Sequence, residues 1–458
     1  MYRLHISKEV ITLHFDRSLT SIEKDGKKIT VISLMIPLLM QLIFTQLYGT
    51  ANTILLSGFL DAAVSASSVA NQVLDISIVI LTMVSTGTVI LSSIEIGAGN
   101  RPKAAEYAGT GAFTVLMVSV VLTLINTLFA EPLMYAVNLR GDTLSLACEY
   151  LRMRALFLPA VGLMNFFNQL LICNGYSKFT LIVGVSSNLI NFILSYIALY
   201  SGISFTSPIQ QVGLAAGIAQ VIGLLLAILF FRAKSCPFSP VYKLKNMIKI
   251  IKLGVPGAMV SLMFRIAQTV TTGFVALMGD SVINTKVYIS NIVAYIPLVC
   301  YSIGSANMVF MGRYKGAGEL DKADRLFKQN RAIAFTCNLL LSLVVLLFHR
   351  PLMGLFTSDP QIIDASGKIF LIDLLVQLPR AINNISEGAL SANGDVKITF
   401  FTSTMSCWLG SVALSYLLCV VLGWGLVGLW LAFAADETMK SIVYLFRWRS
   451  GKWKNINI

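Results

Sequence analysis

The chain has 458 residues, of which 56% are hydrophobic and only 12% charged, and its mean hydropathy is +0.76. A soluble core could not absorb that much apolar surface, so lipid is the expected solvent for most of the protein. The net charge of +13 flanks long apolar runs instead of gathering in one patch, and the seven cysteines are scattered without any C-x-x-C pair; nucleic acid, a disulfide framework and a zinc site are thereby excluded as expectations.

Residues 1–26 are mixed polar and have no apolar h-region, so they are not a signal peptide. They read as a cytoplasmic extension, an interfacial helix being one form it could take. Runs of about 20 mostly apolar residues, the length a bilayer requires, predict helices near 29–57, 64–96, 104–130, 145–172, 178–201 and 211–231. A polar linker, 232–249, carries Pro237 and Pro240. Six further helices follow near 250–278, 284–312, 323–348, 361–391, 396–422 and 425–448. The chain thus divides into an extension (1–26), a lobe (27–231), a linker (232–249), a second lobe (250–448) and a basic tail (449–458). One set of loops holds most of the basic residues, among them Arg101, Lys103, Lys178, Arg232, Arg313, Lys315, Lys322 and Lys397. The alternate loops hold chiefly Arg140 and Arg350, with Arg152, Arg154, Lys286 and Lys368 at helix starts on that side. This bias predicts a plasma-membrane protein with both termini cytoplasmic.

Two loops repeat each other: GAGNRPKA from Gly97 and GAGELDKA from Gly316 lie 219 residues apart. The same offset separates Pro37 from Pro256, and Asn174-Gly175-x-x-Lys178 from Asn393-Gly394-x-x-Lys397. A six-helix unit is therefore duplicated. Because six is even, both copies enter the membrane the same way round, the parallel-repeat arrangement of transporters with a substrate site between halves. The predicted fold is an all-α polytopic membrane protein, twelve transmembrane helices in two six-helix repeats around a central cleft. Gly97, Gly99, Gly316 and Gly318 are expected to cap the second and eighth helices, a hinge during transport being the sharper alternative. No phosphate loop is implied, since the motif follows a helix and lacks Gly-Lys-Ser/Thr.

Polar side chains in a membrane tend to face a bundle interior or wet cavity, and here they form stripes. The first helix carries Gln41, Thr45, Tyr48 and Asn52, and the seventh Ser261, Arg265, Gln268 and Thr272, each along one helical face. The tenth carries Asp373, Gln377, Arg380, Asn384 and Glu387. Asn188, Asn191 and Ser195 mark the fifth, and Asn165 and Asn168 mark the fourth at the repeat positions of Asn384 and Glu387. Arg380 lies about 10 Å along the helix from Asp373 and Glu387, so it needs a partner on another helix or an anionic substrate.

The chain resembles the multidrug and toxic compound extrusion (MATE) transporters. The likeness rests on LYGTANTILLSG (Leu47–Gly58), VANQ (Val69–Gln72), the Gly-Ala-Gly loops, KVYISNIVAYI (Lys286–Ile296), EGALSANGDVK (Glu387–Lys397) and RWRSGKW (Arg447–Trp453). It implies two six-helix bundles enclosing a cleft, and efflux of organic solutes driven by inward sodium ions or protons, with no other cofactor. The chain departs from many members in carrying Asn52 and Ser195 where they have acids, and arginines at 265 and 380 near the acids of the seventh and tenth helices. Asn52 cannot titrate; Asp75, at a similar depth on the second helix, is the candidate replacement. The expected ion-coupling residues are Asp75, Asn191, Asp373 and Glu387. The expected substrate cavity comprises Gln41, Thr45, Tyr48, Asn52, Arg265, Gln268, Gln377, Arg380 and Asn384. If Arg265 and Arg380 both face the cleft, anionic or zwitterionic substrates are favoured. Asp436 and Lys440, spaced i,i+4 near the cytoplasmic end of the last helix, are expected to pair.

An enzyme would need a nucleophile, base or metal site within the bundle, yet His5, His14 and His349 all fall outside it and no metal site is expected. The expectation is a monomeric, cation-coupled antiporter of small organic substrates. A flippase for a lipid-linked oligosaccharide, or an exporter of anionic metabolites, is the alternative that a cationic cleft would favour.

Overall fold

The computed structural model describes residues 21–24, 27–57, 61–136, 141–200 and 207–456. It opens with a small antiparallel hairpin, β1 (Ser21–Lys24) and β2 (Lys27–Thr30), with Ser21 opposite Thr30. This hairpin departs from the all-helical expectation; residues 1–20, where an interfacial helix was considered, lie outside the described residues. One lobe follows: α1 (Val31–Ser57), α2 (Asp61–Gly97), α3 (Arg101–Leu128), the short α4 (Ala130–Ala136), α5 (Gly141–Ala155), α6 (Leu158–Cys173), α7 (Ser177–Tyr200) and α8 (Pro208–Ala233). The second lobe holds α9 (Leu244–Ala276), α10 (Asp280–Val293), α11 (Leu298–Gly316), α12 (Leu320–Leu347), the short α13 (His349–Met353), α14 (Pro360–Ala392), α15 (Val396–Ser406) and α16 (Gly425–Arg449). α15 runs on through two π-helical turns, Cys407–Ala413 and Tyr416–Val421.

The 219-residue period governs the element bounds. α3 (101–128) maps onto α12 (320–347), α2 (61–97) onto α10 plus α11 (280–316), and α5 plus α6 (141–173) onto α14 (360–392). Each lobe breaks a different span: α5 and α6 meet at 52°, α10 and α11 at 49°. Prolines account for both. Pro297 precedes α11 and Pro159 lies in the first turn of α6, places where the missing N–H is tolerated at a new helix start. Their repeat mates are Ile78, inside the continuous α2, and Leu378, inside the continuous α14. The single helices expected over 145–172 and 284–312 are therefore bent pairs. Eight helices and these two pairs are long and apolar enough to cross a bilayer. α14 and α16, which carry more charge, complete the twelve spans.

Each lobe has its own core, built around Leu81, Leu151 and Phe166 in the first and Phe310, Phe327 and Ile385 in the second. The outward faces are apolar: Leu128, Leu229, Leu347 and Phe446 are 59–76% exposed, a surface that suits lipid tails and not water. The linker is not slack. Ser239 donates to the Ala105 carbonyl (3.0 Å), Thr110 donates to the Val241 carbonyl (3.2 Å) and Lys243 pairs with Glu106 (2.8 Å), strapping the chain to α3. α9 starts at Leu244, before the expected 250. The tail does for the second lobe what the strap does for the first. Trp453 stacks on Trp448 and Trp448 on Phe327, each pair 4.1 Å apart.

The lobes meet along α2, α9, α1 and α11, and they close tightly at the basic-loop end. A Cβ on Gly97 would lie 2.1 Å from the Arg313 carbonyl oxygen, and one on Gly316 would lie 1.9 Å from that of Ile94. Arg313 and Ile94 are themselves repeat mates, so the contact is reciprocal about a two-fold axis. Arg313 also crosses the boundary to cap α6, donating to the Cys173 carbonyl at 2.6 Å. Gly99 and Gly318, by contrast, have nothing within 4 Å and take φ of +77° and +75°. The four glycines thus divide: Gly99 and Gly318 end helices in the left-handed region, whereas Gly97 and Gly316 let two backbones touch. Capping is not the role of Gly97 and Gly316.

Candidate functional site

Above that closed end lie two cavities related by the repeat. The first, of about 300 Å³, is lined by Gln41 of α1, Thr82 and Ser85 of α2, and Asn165, Asn168 and Gln169 of α6, among others. The second, of about 340 Å³, includes Ser261 of α9, Tyr301 and Gly304 of α11, and Asn384, Glu387 and Gly388 of α14. Adding 219 carries Thr82 to Tyr301, Ser85 to Gly304, Asn165 to Asn384 and Asn168 to Glu387. Each cavity also borrows from the other lobe, Ser305 in the first and its repeat mate Thr86 in the second. Both are therefore built at the lobe interface. Gln41 Oε1, Asn168 Oδ1 and Asn384 Nδ2 are buried without hydrogen-bond partners. Buried polar groups are normally satisfied, so these amides suit a ligand or ordered water. Glu387 lines this cavity and makes neither an ion pair nor a hydrogen bond among the described residues, Lys440 being the cation within electrostatic reach.

Further along α1, away from the basic end, Tyr48 accepts a 2.5 Å hydrogen bond from Asn191 Nδ2, and Ser195 donates to Asn191 Oδ1 (3.2 Å). This ties α1 to α7. Thr45 is exposed on the same stretch, and the side chain of Asn52 lies outside the described residues. Between the lobes, Arg265 of α9 pairs with Asp75 of α2 at 3.0 Å, the two side chains being 54% and 44% exposed. Gln268 sits half-buried one turn further along α9. So exposed a pair contributes about 0.2–1 kcal/mol. Asp75→Asn is accordingly expected to change the unfolding free energy by no more than about 1 kcal/mol. In a transport assay, charge reversal at either residue should slow efflux, and the double swap Asp75→Arg with Arg265→Asp should restore it.

The second lobe carries a denser network. Asp373 accepts from Trp430 Nε1 and Gln377 Nε2, both at 3.1 Å. Arg380 Nε donates to Glu437 Oε1 at 2.9 Å, and Asn383 Nδ2 donates to Glu437 Oε2 at 2.7 Å. Asp436 pairs with Lys440 (2.9 Å) and accepts from Ser406 and Ser411. These α16 acids lie mid-helix, Asp436 being the twelfth residue from Gly425, and not near the end as expected. Arg380 therefore finds its partner on another helix. The expectation that Arg265 and Arg380 present fixed positive charge to the cleft does not hold, because each guanidinium is neutralised by a carboxylate. The support these two residues lent to a flippase or an anion exporter goes with it.

One family model, MatE, matches residues 37–197 and again 256–417. The chain belongs to the MATE family. Its two matched segments begin at Pro37 and Pro256, repeat mates on α1 and α9. The chain is 28% identical over 448 residues to the uncharacterized transporter YisQ of Bacillus subtilis, covering 95% of this chain and 97% of that one. It is 25% identical over 431 residues to the probable multidrug resistance protein NorM of Thermotoga maritima, covering 93% and 92%. Among solved structures, a MOP superfamily transporter from Pyrococcus furiosus superposes with a TM-score of 0.85 at 18% identity, over 93% of this chain and 96% of that one. The MATE transporter VcmN of Vibrio cholerae, in a mutant form, gives 0.86 at 16%, over 93% and 97%. These relatives are transporters and not enzymes.

For a MATE chain, then, Gln41, Asn165, Asn168, Ser261, Asn384 and Glu387 of the polar stripes line the paired cavities, whereas Tyr48, Asn191, Asp373, Gln377 and Arg380 are engaged within their own lobes. Two residues escaped the sequence reading. Glu437, the neighbour of Asp436, lies at a depth that can be counted from Gly425. Arg154 was read as a helix-start cation, although the repeat places it on Asp373.

Proposed function

We propose that this MATE protein is a secondary antiporter that exports small organic solutes in exchange for sodium ions or protons, its two lobes alternating access to the paired cavities. In this reading it works as a monomer in the plasma membrane with the basic loops cytoplasmic, so that the closed end faces the cytoplasm. The observation that carries the reading is Glu387, an unpaired carboxylate in a cavity shared by both lobes. An intramembrane acid with no directly paired cation among the described residues is costly unless a cation or proton visits it. Its repeat mate is the neutral Asn168, so one lobe alone has the titratable group at this position. Asp75, Asn191 and Asp373 are bonded to protein groups, which makes Glu387 the better coupling residue. The test is efflux from proteoliposomes under an imposed sodium or proton gradient, with a cationic dye such as ethidium as probe. Glu387→Gln should lower gradient-driven efflux by at least about ten-fold, the scale of losing one charged interaction, while Asp373→Asn should retain more activity. Unchanged coupling in Glu387→Gln would sink the proposal.

A further inference from the structure

Arg154 is the penultimate residue of α5, about 20 Å along the helix from Gly141. The 52° break into α6 follows at once. The break satisfies its own backbone: Thr123 donates to the Ala155 carbonyl (2.9 Å), and the Phe157 amide donates to the Arg154 carbonyl (3.2 Å). The guanidinium is not used in this. Its Nε and Nη1 are buried and have no hydrogen-bond partner, and no carboxylate pairs with it among the described residues. The carboxylates of the neighbouring α2 and of α5 are engaged elsewhere. Asp75, on the neighbouring α2, holds Arg265, and Glu149, on α5 itself, accepts from Ser207 at 2.5 Å. Arginine cannot relieve this by losing its proton.

Arg154 lies within electrostatic reach of the Tyr48 hydroxyl. That hydroxyl already accepts from Asn191, so its own proton is left to donate. The repeat shows what is missing. The mate of Arg154 in the second lobe is Asp373, an anion held by the donors Trp430 and Gln377. At the matching places the first lobe has Gln211 and Leu158 for Trp430 and Gln377, and the cation Arg154 where the second lobe has an anion. We propose that Arg154, with Tyr48, binds the carboxylate of an organic solute in the first lobe, so that the substrates of this transporter include carboxylate-bearing compounds. Such a solute would supply mid-membrane the counter-charge that the protein withholds. Planar guanidinium and carboxylate groups match in shape, and a bidentate pair adds orientation to attraction.

This inference rests on the transport reading only in that solutes enter the cleft, and it can be tested without any ion gradient. Failure here and failure of coupling at Glu387 are therefore separate results. The probes are dansyl-glycine and dansyl-glycinamide, which differ only in carboxylate against carboxamide, titrated onto the full chain in lipid nanodiscs by fluorescence. Wild type should bind the carboxylate at least about ten-fold more tightly, as a site built around one polar group discriminates against its isostere. Arg154→Gln should erase that preference by weakening the carboxylate probe alone, Arg154→Lys should keep part of it, and Tyr48→Phe should reduce it. Removing a cation that has no carboxylate partner among the described residues should leave the ligand-free melting temperature of Arg154→Gln equal to or above wild type, so lost binding is not lost fold. Equal affinities in wild type, or equal weakening of both probes in Arg154→Gln, would overturn the proposal.

Discussion

Glu437→Gln should destabilise the protein by about 3–5 kcal/mol, because it strands the Arg380 guanidinium without its counter-charge. The pair is secluded, with side chains 20% and 7% exposed, and it bridges α14 to α16. Asn383 reinforces it from α14 and is in turn fixed by Ser441 at 3.0 Å. Replacing both charges together, Arg380→Met with Glu437→Met, should cost much less than either single change, since an apolar pair of similar volume pays no desolvation. Unfolding followed in detergent across the double-mutant cycle measures this. Additive single effects would mean that the two residues are not coupled as their geometry requires.

Gly97→Val and Gly316→Val should leave each lobe folded yet slow transport by about a hundred-fold or more, as a misplacement of an ångström in a working site does. Their Cβ atoms would fall 2.1 and 1.9 Å from backbone carbonyl oxygens of the other lobe, and backbone cannot swing aside as a side chain can. The lobes would be held apart at the basic-loop end. A cysteine placed at Ser93, which is buried against Gly312 there, should become reactive to a water-soluble maleimide in the valine variants. Gly99→Ala and Gly318→Ala are the controls. They meet no atoms and carry only the strain of a left-handed φ, about 1–2 kcal/mol, so transport should persist. If all four substitutions behaved alike, the separation into closure and capping positions would fail.

The contrast between these glycines shows how much of the site could be read beforehand. Spacing alone paired Gly97 with Gly316 and placed both at the basic end of a helix. It could not show that each touches the other lobe, because backbone approach leaves no mark in a one-dimensional pattern. Asp436 and Lys440 were legible, being one turn apart on the same helix. Arg265 with Asp75, and Arg380 with Glu437, were not. Their partners lie 190 and 57 residues away on helices whose rotation is set by packing. The bends at Pro159 and Pro297 had a visible cause, but a membrane helix often absorbs a proline, as α14 does at Pro379.

Hydropathy and the 219-residue period were enough to establish a membrane protein of two parallel six-helix lobes, since apolar length and repetition are properties of the chain read in order. Helical periodicity likewise showed which face of each helix is polar. Tertiary structure settled which polar groups cancel one another and which are left over. It neutralised Arg265 and Arg380, and left Glu387 and Arg154 without an ion pair among the described residues. A stripe fixes the direction of a side chain about its own axis, whereas charge compensation depends on what the neighbouring helix brings to the same depth.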